Sequence, residues 1–200
     1  MAAAWLEPVE LAGAHCALRP LSPAHHDGLV EATKDGELWR LWYTAVPAPE
    51  GMRAEIERRL ALQAAGSMLP FTSFDGDGRV AGMTTYMNVD ATHKRVEIGS
   101  TWTAARMQRS AFNTECKLLL LGHAFERLEC IAVEFRTHFF NQQSRRAIER
   151  LGAKLDGLLR NHQRAANGTL RDTAVYSITQ AEWPTVRAHL RWQLEKPRQR

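Results

Sequence analysis

The sequence predicts an α+β domain, a mixed and mostly antiparallel sheet of about seven strands with helices on both faces. Three observations predict it. The apolar pattern switches between strand and helix periods in the order β-α-α-β-β-β-α-β-α-β-β, which is not strict βαβ alternation. A Gly76-Asp77-Gly78 turn joins the runs 69–75 and 79–88 as a hairpin. The β-branched and aromatic stretch Val96-Glu97-Ile98-Gly99-Ser100-Thr101-Trp102-Thr103 leads through a polar loop into an apolar helix.

Residues 1–14 read as a loose arm with room for a short strand, and 15–21 as a strand. Ser22-Pro23 starts a helix, with serine as N-cap and proline in the first turn; it runs to about residue 33. Trp39, Trp42 and Tyr43 follow, as core or as the lining of a groove. Val46-Pro47-Ala48-Pro49 breaks the chain. A second helix spans 53–65, with Ile56, Leu60 and Leu62 inward and Glu55, Glu57, Arg58 and Arg59 on its wet side. After the hairpin, 90–94 turns into a strand at 95–103.

The next helix, 114–127, carries an apolar stripe of Cys116, Leu119, Leu120, Ala124 and Phe125, widened by Leu118 and Leu121. Residues 130–137 form a central strand, and 141–150 an amphipathic helix with Asn141 as N-cap and Gly152 beyond its end. Residues 154–162 and 169–178 pair around Ala165-Ala166-Asn167-Gly168. Thr179 and Glu182 have capping-box spacing for a last helix, and Pro184 leaves its start open. With its basic tail, this helix fills 180–200.

Two hundred residues suit one domain, 1–200. With 44% hydrophobic and 24% charged residues, the composition is that of an ordinary globular chain. No apolar run is long enough to span a membrane, and Met1-Ala2-Ala3-Ala4-Trp5 lacks the pattern of a secretory leader. The odd set Cys16, Cys116 and Cys130 has no metal or redox spacing. Cys116 and Cys130 are expected as buried free thiols in a reduced, cytoplasmic setting. A net charge of +4 favours anionic ligands, without the basic and aromatic stripe of a nucleic-acid module.

Chemistry gathers at the strand–loop–helix unit. Helix N-termini carry unpaired N–H groups and a positive dipole end, so Gln108-Arg109-Ser110-Ala111-Phe112-Asn113, leading to Thr114, makes a candidate diphosphate cradle. This loop resembles the acyl-CoA loop of the GNAT N-acetyltransferases, with Gln108 in its first position. Ala111 and Asn113 stand where that family has glycine and glycine or alanine. The resemblance extends over residues 15–185. Leu18-Arg19-Pro20-Leu21, Glu97-Ile98-Gly99, Asn113 to Leu120, Asn141-Gln142-Gln143-Ser144-Arg145-Arg146 with Leu151-Gly152-Ala153, Arg171-Asp172-Thr173 through Tyr176-Ser177, and Glu182-Trp183 resemble the branch that holds the ribosomal-protein alanine and serine N-terminal acetyltransferases.

The resemblance implies a splayed sheet with a pantetheine arm in the gap, and acetyl-CoA, without metal, as acyl donor. The acceptor is a primary amine on a protein N-terminus or a small molecule. Backbone donors at Thr101, Trp102 and Thr103 would meet the thioester and pantetheine, Asn141 and Ser144 the arm, and Arg109, Arg145 and Arg146 the phosphates. Glu97 is the first candidate base and His138 its rival, since histidine titrates in the useful range. The family's tyrosine seven residues after the asparagine is Ile148 here, which leaves Ser144 or solvent to protonate the thiolate. The partners are therefore acetyl-CoA and an amine, without membrane or nucleic acid, and a homodimer is compatible with this. The competing readings are a non-catalytic acyl-CoA sensor and a fold-only interaction domain.

Overall fold

The computed structural model describes residues 5–165 and 167–196. The leader reading at Met1–Ala4, position 166 of the last hairpin loop and the basic tail beyond Lys196 lie outside the described residues. Eight strands form one sheet in the order β1-β2-β3-β4-β5-β6-β8-β7. They are β1 (Leu11–Ala12), β2 (Cys16–Pro20), β3 (Met68–Asp75), β4 (Val80–Asp90), β5 (Arg95–Thr103), β6 (Ala132–His138), β7 (Lys154–Arg164) and β8 (Leu170–Thr179). The eighth strand is the two-residue β1 in the N-terminal arm. That arm is not loose. Trp5, Leu6, Val9 and Leu11 pack on the core, and the Trp5 indole donates to the Leu128 carbonyl at 3.1 Å.

Helices α1 (His26–Lys34) and α2 (Met52–Ala64) cover one face through Leu29, Ala32, Met52 and Ile56 against Met83 and Trp102. On the other face, α3 (Phe112–Glu126) and α5 (Trp183–Glu195) close a larger core around Phe71, Tyr86, Leu120, Leu121 and Phe135. The short α4 (Gln142–Glu149) adds Ile148 to that core. Pro184 sits in the first turn of α5, where its missing N–H costs nothing. Glu182 just ahead accepts from the Thr179 N–H and hydroxyl, both at 2.9 Å. All three cysteines are buried and free. Among the described residues, no helix is long and apolar enough to cross a membrane.

Two irregularities position the site. Strands β5 and β6 run parallel and pair only over Arg95–Glu97 and Ala132–Glu134; beyond that they part. This is the splayed sheet that the resemblance implies. The second irregularity is a bulge. Met83 faces Trp102 and Thr85 faces Gly99, so Ser100 and Thr101 together oppose Thr84. Ser100 takes a φ of 47°, outside the range most side chains favour.

Arg59 braces this bulge. It was expected on the wet side of α2, yet it is among the largest fully buried side chains. It lies three residues after Ile56 and seven after Met52, so it shares their inward face. Its guanidinium donates to Glu55 at 2.6 Å, to the Thr85 hydroxyl at 2.7 Å and to the Ser100 carbonyl at 3.1 Å. Arg59→Leu strands a buried hydroxyl and the bulge carbonyl, so it is expected to lower stability by about 1–3 kcal/mol in urea denaturation. An unchanged midpoint would show that the bulge holds without it.

Candidate active site

The parting of β5 and β6 opens a groove of about 1260 Å³. That exceeds the roughly 300–1,000 Å³ of ordinary small-molecule sites and suits an elongated ligand. Ile98 to Thr103 form one wall, Phe135 to His138 the other. Its lining carries seven Lys and Arg residues (Arg109, Lys117, Arg136, Arg146, Arg150, Arg171 and Lys196) against one acidic residue, Glu97. A chain of net charge only +4 thus concentrates its positive charge here, and the groove selects an anion. Among the described residues, no cluster of three His, Cys, Asp or Glu is placed to hold a metal.

One end is the loop before α3. Gln108, Arg109, Ser110, Asn113 and Thr114 line the groove. Ala111 and Phe112 turn the other way, and Phe112 joins the core. Asn113 is not the N-cap. The helix begins at Phe112, and Ser110 Oγ accepts the Phe112 N–H at 3.1 Å while donating to the Met107 carbonyl at 2.7 Å. Asn113 therefore lies in the first turn, where N–H groups have no intrahelical partner. The positive φ of the loop falls on Arg109, at 57°. Ala111 has an ordinary φ of −66°, so neither departure from the glycine pattern strains the backbone.

The α4 end is set by Asn141, whose side chain caps the helix by accepting the Ser144 N–H at 3.0 Å. Asn141, Ser144 and Arg146 line the groove. Arg145 does not, which corrects the expectation for it. Its guanidinium lies over Phe139 at 4.8 Å and donates to the Tyr176 hydroxyl at 2.9 Å. Successive residues of a helix point about 100° apart, so only one member of the Arg145-Arg146 pair can face the groove. Thr101 and Thr103 line the wall with their side chains near it. Trp102 offers only backbone, since its ring belongs to the core under α1 and α2.

Glu97 is buried and lines the groove where the strands part. The nearest cations in sequence are engaged elsewhere, Arg95 with Glu134 and Lys94 with Glu129. Instead, Glu97 Oε2 accepts from the Asn88 amide at 2.7 Å and lies 3.5 Å from Arg136. Burial raises its pKa above the ordinary carboxylate value; the Asn88 hydrogen bond and Arg136 oppose the rise. Its other oxygen borders Gly99, where an added Cβ would stand 2.7 Å away. Glycine thus keeps Oε1 open.

His138 ends β6 and is also buried. Its Nδ1 accepts the Phe140 N–H at 3.1 Å, which assigns the ring proton to Nε2. Nε2 is buried without a partner among the described residues. Burial, then Arg171, lowers its pKa. The ring is therefore held neutral, with its remaining nitrogen a donor rather than a base. Trp42, expected as core or lining, is half exposed and packs edge-on against His138 at 5.1 Å. Tyr43 lines the groove.

Sequence reasoning missed Asn88, Arg136, Arg171 and Lys117. The signal for Lys117 was present, since it sits three, four and seven residues before Leu120, Leu121 and Ala124 on the buried stripe.

The fold and groove define the class of the protein. Residues 15–154 match the Acetyltransferase (GNAT) domain, and the chain belongs to that family. It is similar to the Bacillus subtilis (strain 168) protein named "Putative ribosomal N-acetyltransferase YdaF", with 32% identity over 107 residues. That match spans 54% of this chain and 57% of YdaF. A GCN5-related N-acetyltransferase from Brucella melitensis superposes with a TM-score of 0.81 at 30% identity, over 94% of this chain and 86% of the other. Mycobacterium smegmatis RimJ, solved with CoA-disulfide, shares the fold with a TM-score of 0.77 at 21% identity, over 92% and 93%.

Arg146→Gln is expected to weaken CoA binding, with a deficit that shrinks as salt is added. Arg145→Gln is expected to leave CoA affinity intact and lower the melting temperature. Calorimetric titration at two salt concentrations separates the two; equal affinities for Arg146→Gln and wild type at low salt would return Arg146 to the solvated surface.

Proposed function

We propose that the protein moves the acetyl group of acetyl-CoA to a primary amine by direct attack on the thioester, with a protein N-terminus as the first acceptor to test. The observation that carries the reading is a single buried carboxylate, one oxygen open, in a groove whose other charged lining residues are all cations. The residues present fit the donor. The helix N-terminus at Gln108–Thr114, with Arg109 and Arg146, suits phosphates. The free edge of β5 at Thr101–Thr103, with Asn141 and Ser144, suits an amide-bearing arm. Bound there, acetyl-CoA supplies an activated acyl group.

The chain's own work is positioning and proton transfer. Holding the thioester beside the amine supplies most of the gain. Glu97 takes the proton of the incoming ammonium, directly or through one water beside Oε1. A carboxylate whose pKa burial has raised is a stronger base than an ordinary one and better matched to that task. His138 offers its Nε2 proton to a carbonyl of the acceptor, with Trp42 and Tyr43 walling that side. A peptide end carries such a carbonyl, as does the backbone that a ribosomal N-acetyltransferase, the activity in YdaF's name, would meet. A non-catalytic CoA sensor would have no use for Glu97, Asn88 and Gly99 arranged this way.

Acetyl-CoA at 100 times its Kd is expected to stabilise the fold by about 2.7 kcal/mol; no thermal shift at millimolar acetyl-CoA would sink the proposal. Glu97→Gln is expected to lower kcat/KM by roughly 10²- to 10³-fold with acetyl-CoA affinity nearly unchanged. In wild type, activity should fall as pH drops through the raised Glu97 pKa, above the usual value of about 4.3. That limb should vanish in Glu97→Gln, and the defect should shrink at high pH, where the amine arrives already deprotonated. Full activity of Glu97→Gln from pH 6 to 9 would move the base elsewhere.

A further inference from the structure

The chemistry above leaves Lys117 unused. It stands in the second turn of α3, is buried, and lines the groove. Its Nζ donates to Thr101 Oγ1 at 3.2 Å and Thr84 Oγ1 at 3.4 Å, and these hydroxyls bond each other at 2.8 Å. No carboxylate of the described residues forms an ion pair with it. An ammonium has three N–H donors, and here two meet neutral hydroxyls. A buried cation without a counter-charge is costly, and its place in an anion-selective groove indicates that the missing negative charge comes with the ligand.

Its position says which charge. Thr101 belongs to the bulge on the free edge of β5, between Glu97 and the loop at Gln108–Thr114. A thioester reached by an amine at Glu97, with its phosphates on that loop, lies over this section. Acyl transfer develops two anions there in turn. The first is the oxyanion of the tetrahedral intermediate, which the free backbone donors of β5 can meet. The second is the departing thiolate, which has no other cation over this section among the described residues. Ile148, in the place of the family's tyrosine, lines the groove with only hydrocarbon, and Ser144, the candidate the sequence left for this step, stands at the α4 end and carries no charge.

We propose that Lys117 stabilises and protonates the thiolate that leaves during acetyl transfer. The inference rests on the acetyl-transfer reading. The amine nitrogen bonds to the acetyl carbon, the carbon–sulfur bond breaks, and its electron pair stays on sulfur. Lys117 Nζ gives sulfur a proton and releases the free thiol, then retakes a proton from solvent through the open groove. The surplus proton of the amine leaves through Glu97. Burial brings the Lys117 pKa down to about 8, close to the roughly 8.5 of an ordinary thiol, where a general acid is well matched. Cys116, beside it on α3, acts in the opposite direction. The threonines that face it from β4 and β5 are neutral, and the charged groups sharing the groove are Glu97 and arginines such as Arg136 and Arg150.

The test uses CoA and acetyl-CoA as probes and reads the thiol spectroscopically. Wild-type protein is expected to lower the pKa of bound CoA thiol by about one unit or more, seen as thiolate absorbance against pH. Lys117→Met should return the thiol to its free value while acetyl-CoA affinity stays nearly unchanged. The variant should fold. Because the lysine pKa is lowered in the folded state, its burial costs stability fully below about pH 8, and that cost fades toward the ordinary value near 10.4. The melting temperature of Lys117→Met at pH 7 should therefore match or exceed wild type. Lys117→Arg should keep the thiolate shift but, holding its proton, lower kcat without raising KM for acetyl-CoA. Thiol titrations alike in wild type and Lys117→Met, or loss of acetyl-CoA binding in Lys117→Met, would overturn the inference. A wild type that binds acetyl-CoA but leaves the CoA thiol unshifted overturns it alone, and one that binds neither overturns the acetyl-transfer reading as well.

Discussion

The bulge at Ser100–Thr101 is the constraint on which the centre of this molecule depends. A sheet edge that parts from its neighbour leaves its N–H and C=O groups unpaired, and a left-handed residue within it adds strain. Something must hold that edge in place. Here Arg59 does so on one face, and a second buried cation meets the bulge on the other. Arg59 grips Thr85 and the Ser100 carbonyl from the α2 side. Lys117 grips Thr84 and Thr101 from the α3 side. The alternation of a strand makes this possible, since 84 and 85, like 100 and 101, point to opposite faces.

The two cations are not equivalent. Arg59 has Glu55 beside it and is a satisfied structural pair. Lys117 has only hydroxyls, and burial lowers its pKa accordingly. Removing a partner from a buried pair is expensive, whereas removing a lone buried cation relieves a cost. A residue retained at the expense of stability needs another reason to be there, and the groove above it offers one. The same helix also anchors the N-terminal arm. Glu115, two residues before Lys117, accepts the backbone N–H groups of Ala14, His15 and Cys16. So α3 joins the arm, the anion loop and the bulge within its first two turns, and a disturbance of its first turn reaches all three.

What the sequence made legible follows from what repeats locally. Strand and helix periods, the Gly76-Asp77-Gly78 turn and the Asn141 cap depend on near neighbours, and the structure has them within a few residues of the reading. The errors arise where long-range contact decides. Arg59 reads as a wet-side residue because charge outweighs periodicity in any sequence rule, while its position after Met52 and Ile56 points inward. The helix read from residue 114 starts at Phe112, because Ser110 takes the Phe112 N–H. Arg145 and Arg146 look identical in sequence, and only the docking of α4 on Phe139 and Tyr176 separates them. The N-terminal arm has few local signals; Trp5 and Glu115 hold it through partners about a hundred residues away.

Glu97 and His138 show how the groove divides chemical roles between two residues that a sequence treats as rivals. Both are buried at the mouth of the same gap, and burial moves both toward their neutral forms. Neighbours then decide what each group can do. His138 has one nitrogen fixed by a backbone N–H, so its remaining nitrogen carries a proton and can only donate. Glu97 has one oxygen fixed by Asn88, and the other faces the space that Gly99 leaves open, so what remains to it is acceptance. One backbone amide and one side-chain amide thus turn two titratable groups into a donor and an acceptor on opposite walls. In the proposed reaction, an amine entering between them would meet a proton acceptor on β5, and a carbonyl behind it a donor on β6.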